Sequence, residues 1–334
     1  MRRLFIVYNP RSSRFVDVEK EVLSKARDLK GYMIGKYEVE PTDVDKNAAK
    51  FAKLIKDGDL VLAAGGDATG IIASNGIIKS GKDATLAVLP YGNFNDLART
   101  LGTMDAGKLF EMIARNGQSE IVRDNGSEIA SEPRNDGRER SGSRIAHSGR
   151  LYPLEIYVDG KFFRYATCYV TIGMTAEVCE IFDEPKFRKK MQKGSKSSWR
   201  SYIALSKWYF KNRHKRVFIP PFTINGKPAE KNASDYCALS GKSMCRVMKG
   251  GDDYLKPKVF RSMNRKLTSF PRLFVLMLKA IFVRTPGKDT TGDVLEFLEP
   301  ATVELQAEGE YRVFKDIKKI EIKKGDKCLK VIQA

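Results

Sequence analysis

The stretch Leu60-Val61-Leu62-Ala63-Ala64-Gly65-Gly66-Asp67-Ala68-Thr69 joins an apolar run to two glycines, a carboxylate and a hydroxyl. The apolar run predicts a buried strand, and the residues after it predict a turn into a helix. Glycine permits a positive φ and lets backbone N–H groups approach a ligand with no Cβ in the way, and a helix N-terminus attracts anions. The stretch therefore predicts a phosphate-binding turn, with an ordinary strand-to-helix turn as the alternative.

A second loop of the same kind follows. Residues 84–90 form another apolar run, which ends in Tyr91-Gly92-Asn93-Phe94-Asn95-Asp96 before the helical pattern of residues 97–101. Two strand-to-helix turns rich in Gly, Asn and Asp indicate a nucleotide site.

The segments before these loops alternate between the two types of element. Residues 4–8 and 37–40 are predicted strands, and residues 16–29 and 46–56 are predicted helices. This alternation predicts a parallel sheet with helices on both faces, which binds ligands beyond the carboxyl ends of its strands. Asn9 and the two glycine loops are therefore expected to share one crevice.

Composition limits the functional classes. The 334 residues include 60 Lys and Arg against 41 Asp and Glu, a net charge of +19 that favours anionic partners. The basic residues match no nucleic-acid reader module, so nucleic-acid binding rests on charge alone. Five cysteines without a CxxC pair indicate reduced thiols in a cytoplasmic protein, and two histidines make a Cys/His zinc site improbable.

No segment predicts a membrane span or a signal peptide. The apolar run near the N-terminus ends at Asn9-Pro10, and the longest apolar stretch, residues 273–283, contains Lys279. Both are shorter than the ~20 residues that a bilayer span needs. A protein without a transmembrane anchor is expected.

The second half of the chain predicts a different fold. Residues 124–150 are polar and read as a flexible linker, and residues 151–312 contain short strands with hairpin turns at Asp159-Gly160 and Asn225-Gly226. We therefore expect a nucleotide-binding α/β domain over residues 1–123 and a mainly antiparallel domain over 151–312. Residues 313–334 contain predicted C-terminal strands. The sequence leaves two alternatives open for them: they return to the N-terminal domain, or they belong to the second domain.

Five ordered motifs resemble the diacylglycerol kinase catalytic family, which includes bacterial lipid kinases and the related sphingosine and ceramide kinases. They are Tyr8-Asn9-Pro10, Thr42, Gly65-Gly66-Asp67-Ala68-Thr69 with Asn75-Gly76, residues 89–99, and Gln306-Ala307-Glu308-Gly309-Glu310. The resemblance implies a Rossmann-like three-layer N-terminal domain, similar to NAD kinases and phosphofructokinases, and a C-terminal β-sandwich domain. It also implies an active site in the interdomain cleft, ATP and Mg²⁺, and a membrane-lipid hydroxyl as acceptor.

The resemblance carries roles onto particular residues. Glu310 falls on the proposed proton acceptor, Glu308 accompanies it, and Asp67 would orient Mg²⁺ or the acceptor hydroxyl; by itself, Asp67 also fits the N-cap of the helix that follows it. Glu308 and Glu310, two apart on a predicted strand, are expected to face one side, which alone reads as an exposed acidic edge. The nucleotide contacts would be Asn9, Thr42, Gly65, Gly66, Asp67, Ala68, Thr69, Gly92, Asn93, Asn95 and Asp96.

The chain departs from the family pattern at several positions. Ala68 replaces a glycine, Ile72 a glutamate, Asn93 and Phe94 alter the second loop, and Glu308 replaces an aspartate. The acidic run that holds a structural Mg²⁺ in many bacterial members is absent after Pro257, so that metal site is not predicted. A nucleotide- or lipid-binding member without turnover and an NAD kinase-like enzyme remain alternatives.

Residues 186–216 carry twelve Lys or Arg, no acid and both tryptophans, Trp199 and Trp208. Trp199, Tyr202, Ile203, Ser206 and Phe210 fall on one side of a helix. The segment predicts contact with an anionic membrane, with a packed helix and a solvated basic face as the alternative. The expected protein is thus a peripheral membrane enzyme, and a homodimer stays open.

Overall fold

A computed structural model describes residues 2–12, 14–92, 95–102, 104–116, 147–183, 203, 206–208, 210–212, 219–229, 233, 235–244, 248–249, 258–260, 288–289 and 292–333. The N-terminal domain is an α/β domain, as predicted, and the C-terminal domain is built on an antiparallel sheet. The elements of the N-terminal domain are β1 (Arg2–Tyr8), α1 (Phe15–Val18), a π-helical turn (Glu19–Leu23), α2 (Ser24–Arg27), β2 (Tyr32–Glu38), α3 (Val44–Ala52), β3 (Leu60–Gly65), α4 (Asp67–Ser80), β4 (Thr85–Pro90), α5 (Asp96–Leu101), α6 (Ala106–Asn116), β5 (His147–Leu151) and β18 (Leu329–Gln333).

The N-terminal sheet has the strand order β2-β1-β3-β4-β18-β5. The first five strands are parallel, and only β5 runs antiparallel to its neighbour β18. Every residue of β3 is buried, which explains its unbroken apolar sequence, since a central parallel strand is covered on both faces. Because β1, β3 and β4 are adjacent, the loops that follow them lie at one edge.

Among its described residues, the C-terminal domain contains one sheet of ten strands and a short separate hairpin. Its elements are β6 (Leu154–Val158), β7 (Lys161–Ala166), β8 (Tyr169–Gly173), α7 (Met174–Asp183), β9 (Phe222–Ile224), β10 (Lys227–Pro228), β11 (Asp235–Leu239), β12 (Ser243–Met244), β13 (Met248–Lys249), β14 (Lys258–Phe260), β15 (Lys288–Asp289), β16 (Gly292–Ala307) and β17 (Glu310–Lys324). The separate hairpin is β12–β13. One buried apolar cluster joins residues of β6, β8, β11, β16 and β17, so these strands surround a common core.

Hairpin turns in this domain follow local turn chemistry. Asp159 and Asn225 have φ of 48° and 51°, and each is followed by a glycine with positive φ, as the sequence predicts. Where the sequence predicts one strand over residues 162–172, the structure has two, β7 and β8, because the chain turns at Thr167 and Cys168 to bind a carboxylate of another hairpin.

The chain crosses between the domains more often than the sequence indicates. Strand β5 begins at residue 147, inside the segment assigned to the linker, and it pairs with β18 in the first sheet. Residues 310–324 belong to the second sheet as β17, while the last strand returns to the first. The short polar sequence His147–Leu151 carries no local strand pattern. It forms a strand because it pairs with β18, which is distant in sequence.

An apolar core continues across the domain boundary. Ile72 and Leu97 of the first domain belong to the same buried cluster as Tyr169 and Leu239 of the second. The cluster fixes α4 and α5 against the second domain, and with them the loops at the carboxyl ends of β3 and β4.

Polar contacts at this seam are buried as well. Asn75 on α4 is 0% exposed; its amide donates to the Tyr165 carbonyl at 3.1 Å and accepts from the Tyr165 N–H at 3.3 Å. The fully buried Arg164 pairs with Asp45 at the start of α3. The second domain therefore holds both α3 and α4.

Several predicted features lie outside the described residues: Asn93, residues 124–146, Trp199, Tyr202 and residues 272–284. Within the described part, Cys168, Cys179, Cys237 and Cys328 are free thiols. No helix among the described residues has both the length and the apolar character needed to cross a membrane.

Candidate active site

The two glycine loops touch backbone to backbone. A Cβ on Gly92 would lie 2.2 Å from the Gly66 Cα, and a Cβ on Gly66 would lie 3.1 Å from the Gly92 Cα. The Tyr91 N–H donates to the Gly65 carbonyl at 3.0 Å. Only glycine fits at this contact, which joins the ends of β3 and β4 into one surface.

The first glycine pair does not use the positive φ that glycine permits. Gly66 has φ −93°, and neither it nor Gly65 is among the residues with positive φ. Glycine is needed at position 65 because a Cβ there would lie 2.4 Å from the Thr69 Oγ1. Thr69 is accordingly buried against Gly65, at 4% exposure.

The N-terminus of α4 opens onto the crevice. Its N-cap is Gly66, and no side chain caps the first amides of this 14-residue helix. Ala68, in the first helical turn, is exposed and has no positive φ, so its methyl group causes no backbone strain. Uncapped amides at a helix N-terminus are an anion-binding arrangement.

Asp67 caps a different helix from the one expected. Its carboxylate accepts from the backbone N–H groups of Asn95 at 2.9 Å, Asp96 at 2.6 Å and Leu97 at 3.4 Å, which are the first amides of α5. The alternative interpretation, in which Asp67 caps its own helix, is therefore wrong. The carboxylate instead ties the first glycine loop to the second.

The electrostatics of Asp67 are set by burial and by a like charge. Burial raises the pKa of Asp67 to about 6, and the neighbouring Asp96 carboxylate contributes to this rise, against the lowering effect of the α5 amides. Asp96 is buried and pairs with Arg99 one turn along the helix. Two carboxylates of the first domain thus meet at the floor of the crevice.

Glu308 comes to the same place from the second domain. Glu308 and Gly309, with φ of 52° and 90°, form the two-residue turn between β16 and β17, and Ala307 pairs with Glu310. The expectation that Glu308 and Glu310 share one strand and face one side is therefore wrong. Glu308 is 5% exposed, whereas Glu310 opens β17 and is partly exposed.

One carboxylate oxygen of Glu308 accepts two hydrogen bonds, and the other accepts none. Its Oε1 accepts from the Thr167 hydroxyl and from the Cys168 N–H. Its Oε2 is buried without a hydrogen-bond partner. Burial raises the pKa of Glu308 to about 7, with a contribution from the charge of Asp67, although the bonds from Thr167 and Cys168 lower it.

The neighbours of this carboxylate group come from both domains. Thr100 of α5 lies 3.6 Å from the Cys168 sulfur, and the Lys242 N–H donates to the Thr100 hydroxyl at 3.2 Å. Burial raises the pKa of the Cys168 thiol, as do the charges of Glu308 and Asp96. The Cys168 side chain therefore borders the site as an uncharged thiol.

The remaining predicted contacts lie after β1, before α3 and in the second glycine loop. The Asn9 Oδ1 accepts from the Arg11 N–H at 3.0 Å, and Thr42 is exposed just before α3. Asn95 shapes the second loop, because its amide group bonds the Gly92 N–H at 2.7 Å and the Gly92 carbonyl at 2.8 Å. The structure therefore collects the loops after β1, β3 and β4 at one edge, as the sequence predicts.

Ile72 has a structural role in this chain. It is 1% exposed and belongs to the apolar cluster that spans the two domains. Where the family resemblance expects a glutamate, the chain has an apolar contact at the seam.

Residues 3–122 match the diacylglycerol kinase catalytic domain. The N-terminal domain is therefore similar to the catalytic domain of that family. A diacylglycerol kinase of Bacillus subtilis (strain 168) is 38% identical over 104 residues, which are 30% of this chain and 34% of that relative. The match thus spans about a third of the relative's length.

Solved structures extend the likeness in fold beyond this catalytic domain. A diacylglycerol kinase from Bacillus anthracis str. Sterne has a TM-score of 0.57 and 16% identity, and the alignment covers 98% of this chain and 96% of that one. A second structure from the same strain, provisionally assigned as a diacylglycerol kinase, has a TM-score of 0.60 at 16% identity and covers 100% of this chain and 97% of its own. At this identity the likeness establishes the two-domain fold.

Four residues of this diacylglycerol kinase-like site were not singled out from the sequence: Thr167, Cys168, Arg164 and Tyr165. Thr167 and Cys168 bind Glu308 across 141 and 140 residues, so no local pattern marks them. The Glu-Gly pair at 308–309 was a usable signal, because a glycine in the second position favours a two-residue hairpin turn.

Proposed function

We propose that the protein is an ATP-dependent lipid kinase that transfers the γ-phosphate to the hydroxyl of a diacylglycerol-like lipid. The observation that carries the proposal is the meeting of Asp67 and Asp96 with Glu308, whose Oε2 is buried without a partner. Phosphoryl transfer to an alcohol needs a held triphosphate, stabilisation of its charge and a group that takes the hydroxyl proton. The crevice offers a candidate for each need.

The triphosphate is assigned to the N-terminus of α4. That end has no side-chain cap, and the exposed Ala68 leaves its first turn accessible. The second loop is held in place by Asn95 and by the Asp67 cap, so it supports the site without rearranging. ATP would therefore lie over Gly66 with its adenosine toward Asn9 and Thr42.

The residues present are compatible with a magnesium ion that arrives with the nucleotide. Among the described residues, no group of three or more His, Cys, Asp or Glu side chains forms a metal site. Mg²⁺ is commonly bound by one or two carboxylates together with substrate phosphates and water. Asp67 and Glu308 are the carboxylates that would hold it, and the ion would supply charge neutralisation at the phosphates.

The proton acceptor is assigned to Glu310, with Glu308 beside it. Glu310 is partly exposed at the start of β17, where an entering hydroxyl can reach it. The lipid oxygen would form a bond to the γ-phosphorus as the bond to the β-phosphate oxygen breaks, and ADP would leave. The lipid proton would pass to the Glu310 carboxylate.

A labelled-phosphate assay tests this proposal. γ-Labelled ATP with Mg²⁺ is incubated with a panel of lipid alcohols, with NAD⁺, or with no acceptor. We expect label in a glycerolipid, and little label from Asp67→Asn, whose amide oxygen can still accept from the Asp96 N–H but carries no charge. Asp105→Asn is the matched control, since Asp105 accepts from the Lys108 N–H at 2.8 Å outside the crevice.

Two results would reject the lipid kinase assignment. Label in NADP⁺ would show an NAD kinase-like enzyme. ATP binding without transfer to any acceptor would show a binding protein without turnover. Equal activity of Asp67→Asn and the wild type would remove Asp67 from the mechanism.

We also propose that the helical segment around residues 203–212 contacts an anionic membrane. Trp208 faces inward at 3% exposure, while Ile203 and Phe210 are 42% and 57% exposed. Lys207 and Lys211 are exposed beside them. Apolar and basic side chains on one exposed face are typical of an interfacial helix.

Vesicle sedimentation tests this surface. Replacing Phe210 with Ser and Lys207 and Lys211 with Gln is expected to reduce binding to vesicles that contain an anionic lipid. Near the surface each basic residue is worth about 1 kcal/mol. Binding that is unchanged in the triple variant, or equal on neutral vesicles, would contradict the assignment.

A further inference from the structure

The first turn of α3 is held by two arginines of the other domain. Asp43, the N-cap of α3, pairs with Arg312 of β17. Asp45, two residues on, pairs with Arg164 of β7. Two neighbouring carboxylates are thus bound by two different strands of the second domain.

The two pairs differ in burial, which separates their roles. The Arg164 side chain is 1% exposed, and its Nε and Nη1 have no hydrogen-bond partner. The Arg312 side chain is 40% exposed and its partner Asp43 27% exposed. The Arg164 guanidinium is a buried anchor, whereas the Asp43–Arg312 pair is partly accessible to solvent.

Each residue of the Asp43–Arg312 pair is near, in sequence, a predicted residue of one half of the candidate site. Asp43 follows Thr42, a predicted nucleotide contact. Arg312 and Glu310 are two residues apart on one strand and face the same side, a separation of about 6.7 Å along the strand. Their pairing partners, Leu305 and Ala307, also face one side.

We propose that the Asp43–Arg312 ion pair is a positioning contact that holds the Glu310 end of β17 against the nucleotide-binding loops. The inference rests on the proposed lipid kinase function. Without the pair, the β16–β17 hairpin would still be joined to its sheet, but its tip would lose an ionic link to the first domain. Glu310 would then lie farther from the acceptor hydroxyl.

Asp43 allows a substitution that removes the charge and keeps the cap. Its Oδ1 accepts from the Asp45 N–H at 2.7 Å, and its Oδ2 pairs with Arg312. Asparagine is as good an N-cap as aspartate, so Asp43→Asn leaves α3 intact. Because exposed ion pairs contribute at most about 1 kcal/mol, Asp43→Asn and Arg312→Gln are expected to fold normally.

The kinetic test uses both single variants and the double variant. Misplacement of a reacting group by about 1 Å costs up to about 100-fold, so we expect each single variant to lower kcat by about 10- to 100-fold with little change in the KM for ATP. Arg312→Lys should recover part of the loss. Lys315→Gln, which removes an exposed charge from the same strand, is the control and should match the wild type.

The kcat of the double variant shows whether Asp43 and Arg312 act through one shared contact. If they do, Asp43→Asn/Arg312→Gln is no slower than the slower single variant. Losses that multiply, or single variants with wild-type kcat, would overturn the proposal.

A distance measurement keeps the inference separate from the lipid kinase assignment. Nitroxide labels at Lys46→Cys on α3 and Lys315→Cys on β17, with Cys245 and the exposed Cys328 replaced by Ser, report the spacing directly. We expect a longer or broader distance distribution in Asp43→Asn and in Arg312→Gln. An unchanged distribution would overturn the proposal even if the enzyme phosphorylates lipid, and a protein without lipid kinase activity would still show the shift.

Discussion

Replacing Glu308 with Gln should change how the stability of the protein depends on pH. Burial raises the pKa of Glu308 from 4.5 to about 7. In the unfolded chain this carboxyl titrates near its ordinary value, so between the two values the folded state binds more protons. Stability from the protonated form is therefore present below pH 4.5 and is lost as the pH rises to about 7.

The size of this effect follows from the two pKa values. They differ by about 2.5, and one pKa unit corresponds to about 1.36 kcal/mol, so ionising Glu308 in the folded state costs about 3 kcal/mol. With a side chain only 5% exposed, solvent screening reduces this little. The amide oxygen that Glu308→Gln introduces can still accept from Thr167 and Cys168, but the amide does not ionise.

Denaturant unfolding at several pH values measures the effect. Wild type should lose about 3 kcal/mol more than Glu308→Gln between pH 4.5 and about pH 8, and Glu296→Gln, an exposed change on the same strand, should follow the wild type. If the free energies of unfolding of wild type and Glu308→Gln changed with pH in parallel, the claim that Glu308 is buried with a raised pKa would be refuted.

Two further substitutions test the loops and the seam. Gly92→Ala places a methyl group 2.2 Å from the Gly66 Cα, and this overpacking should destabilise the fold by about 1–3 kcal/mol. Gly107→Ala, in the first turn of α6, is the control: its Cβ would lie 3.1 Å from a side-chain atom, the Asp105 Oδ1, and the variant should melt close to the wild type; equal melting temperatures of the two variants would contradict this. Asn75→Ala leaves the buried Tyr165 N–H and carbonyl without their hydrogen bonds to Asn75. The free energy of unfolding, measured in urea, should fall by about 1–3 kcal/mol. A loss below about 0.5 kcal/mol would contradict this, because it would mean that water or another group pairs with the Tyr165 backbone in the variant.

The sequence predicts those parts of the fold that local chemistry determines. The buried strand at Leu60–Gly65 is continuous and apolar, and the turns at Asp159 and Asn225 carry their glycine partners. The convergence of three loops also follows, because parallel strands end at one edge of a sheet.

The residue roles that the sequence does not predict depend on contacts between residues distant in the chain. Asp67 looks like the cap of the helix that it opens, yet its carboxylate binds amides 28 to 30 residues away. Arg164 looks like a surface residue, and its burial follows from a partner 119 residues away. Such roles depend on how the domains meet, which no local periodicity encodes.

Calorimetry of MgATP binding to Ala68→Asp tests the phosphate site most directly. Ala68 is exposed in the first turn of α4, where aspartate is compatible with the helix, so the variant should fold as stably as the wild type. A new carboxylate about 4 Å from the triphosphate would repel it by about 1–4 kcal/mol, so we expect at least about fivefold weaker binding, with Ala68→Ser close to wild type. Equal affinity of Ala68→Asp and wild type for MgATP would contradict phosphate binding at this helix.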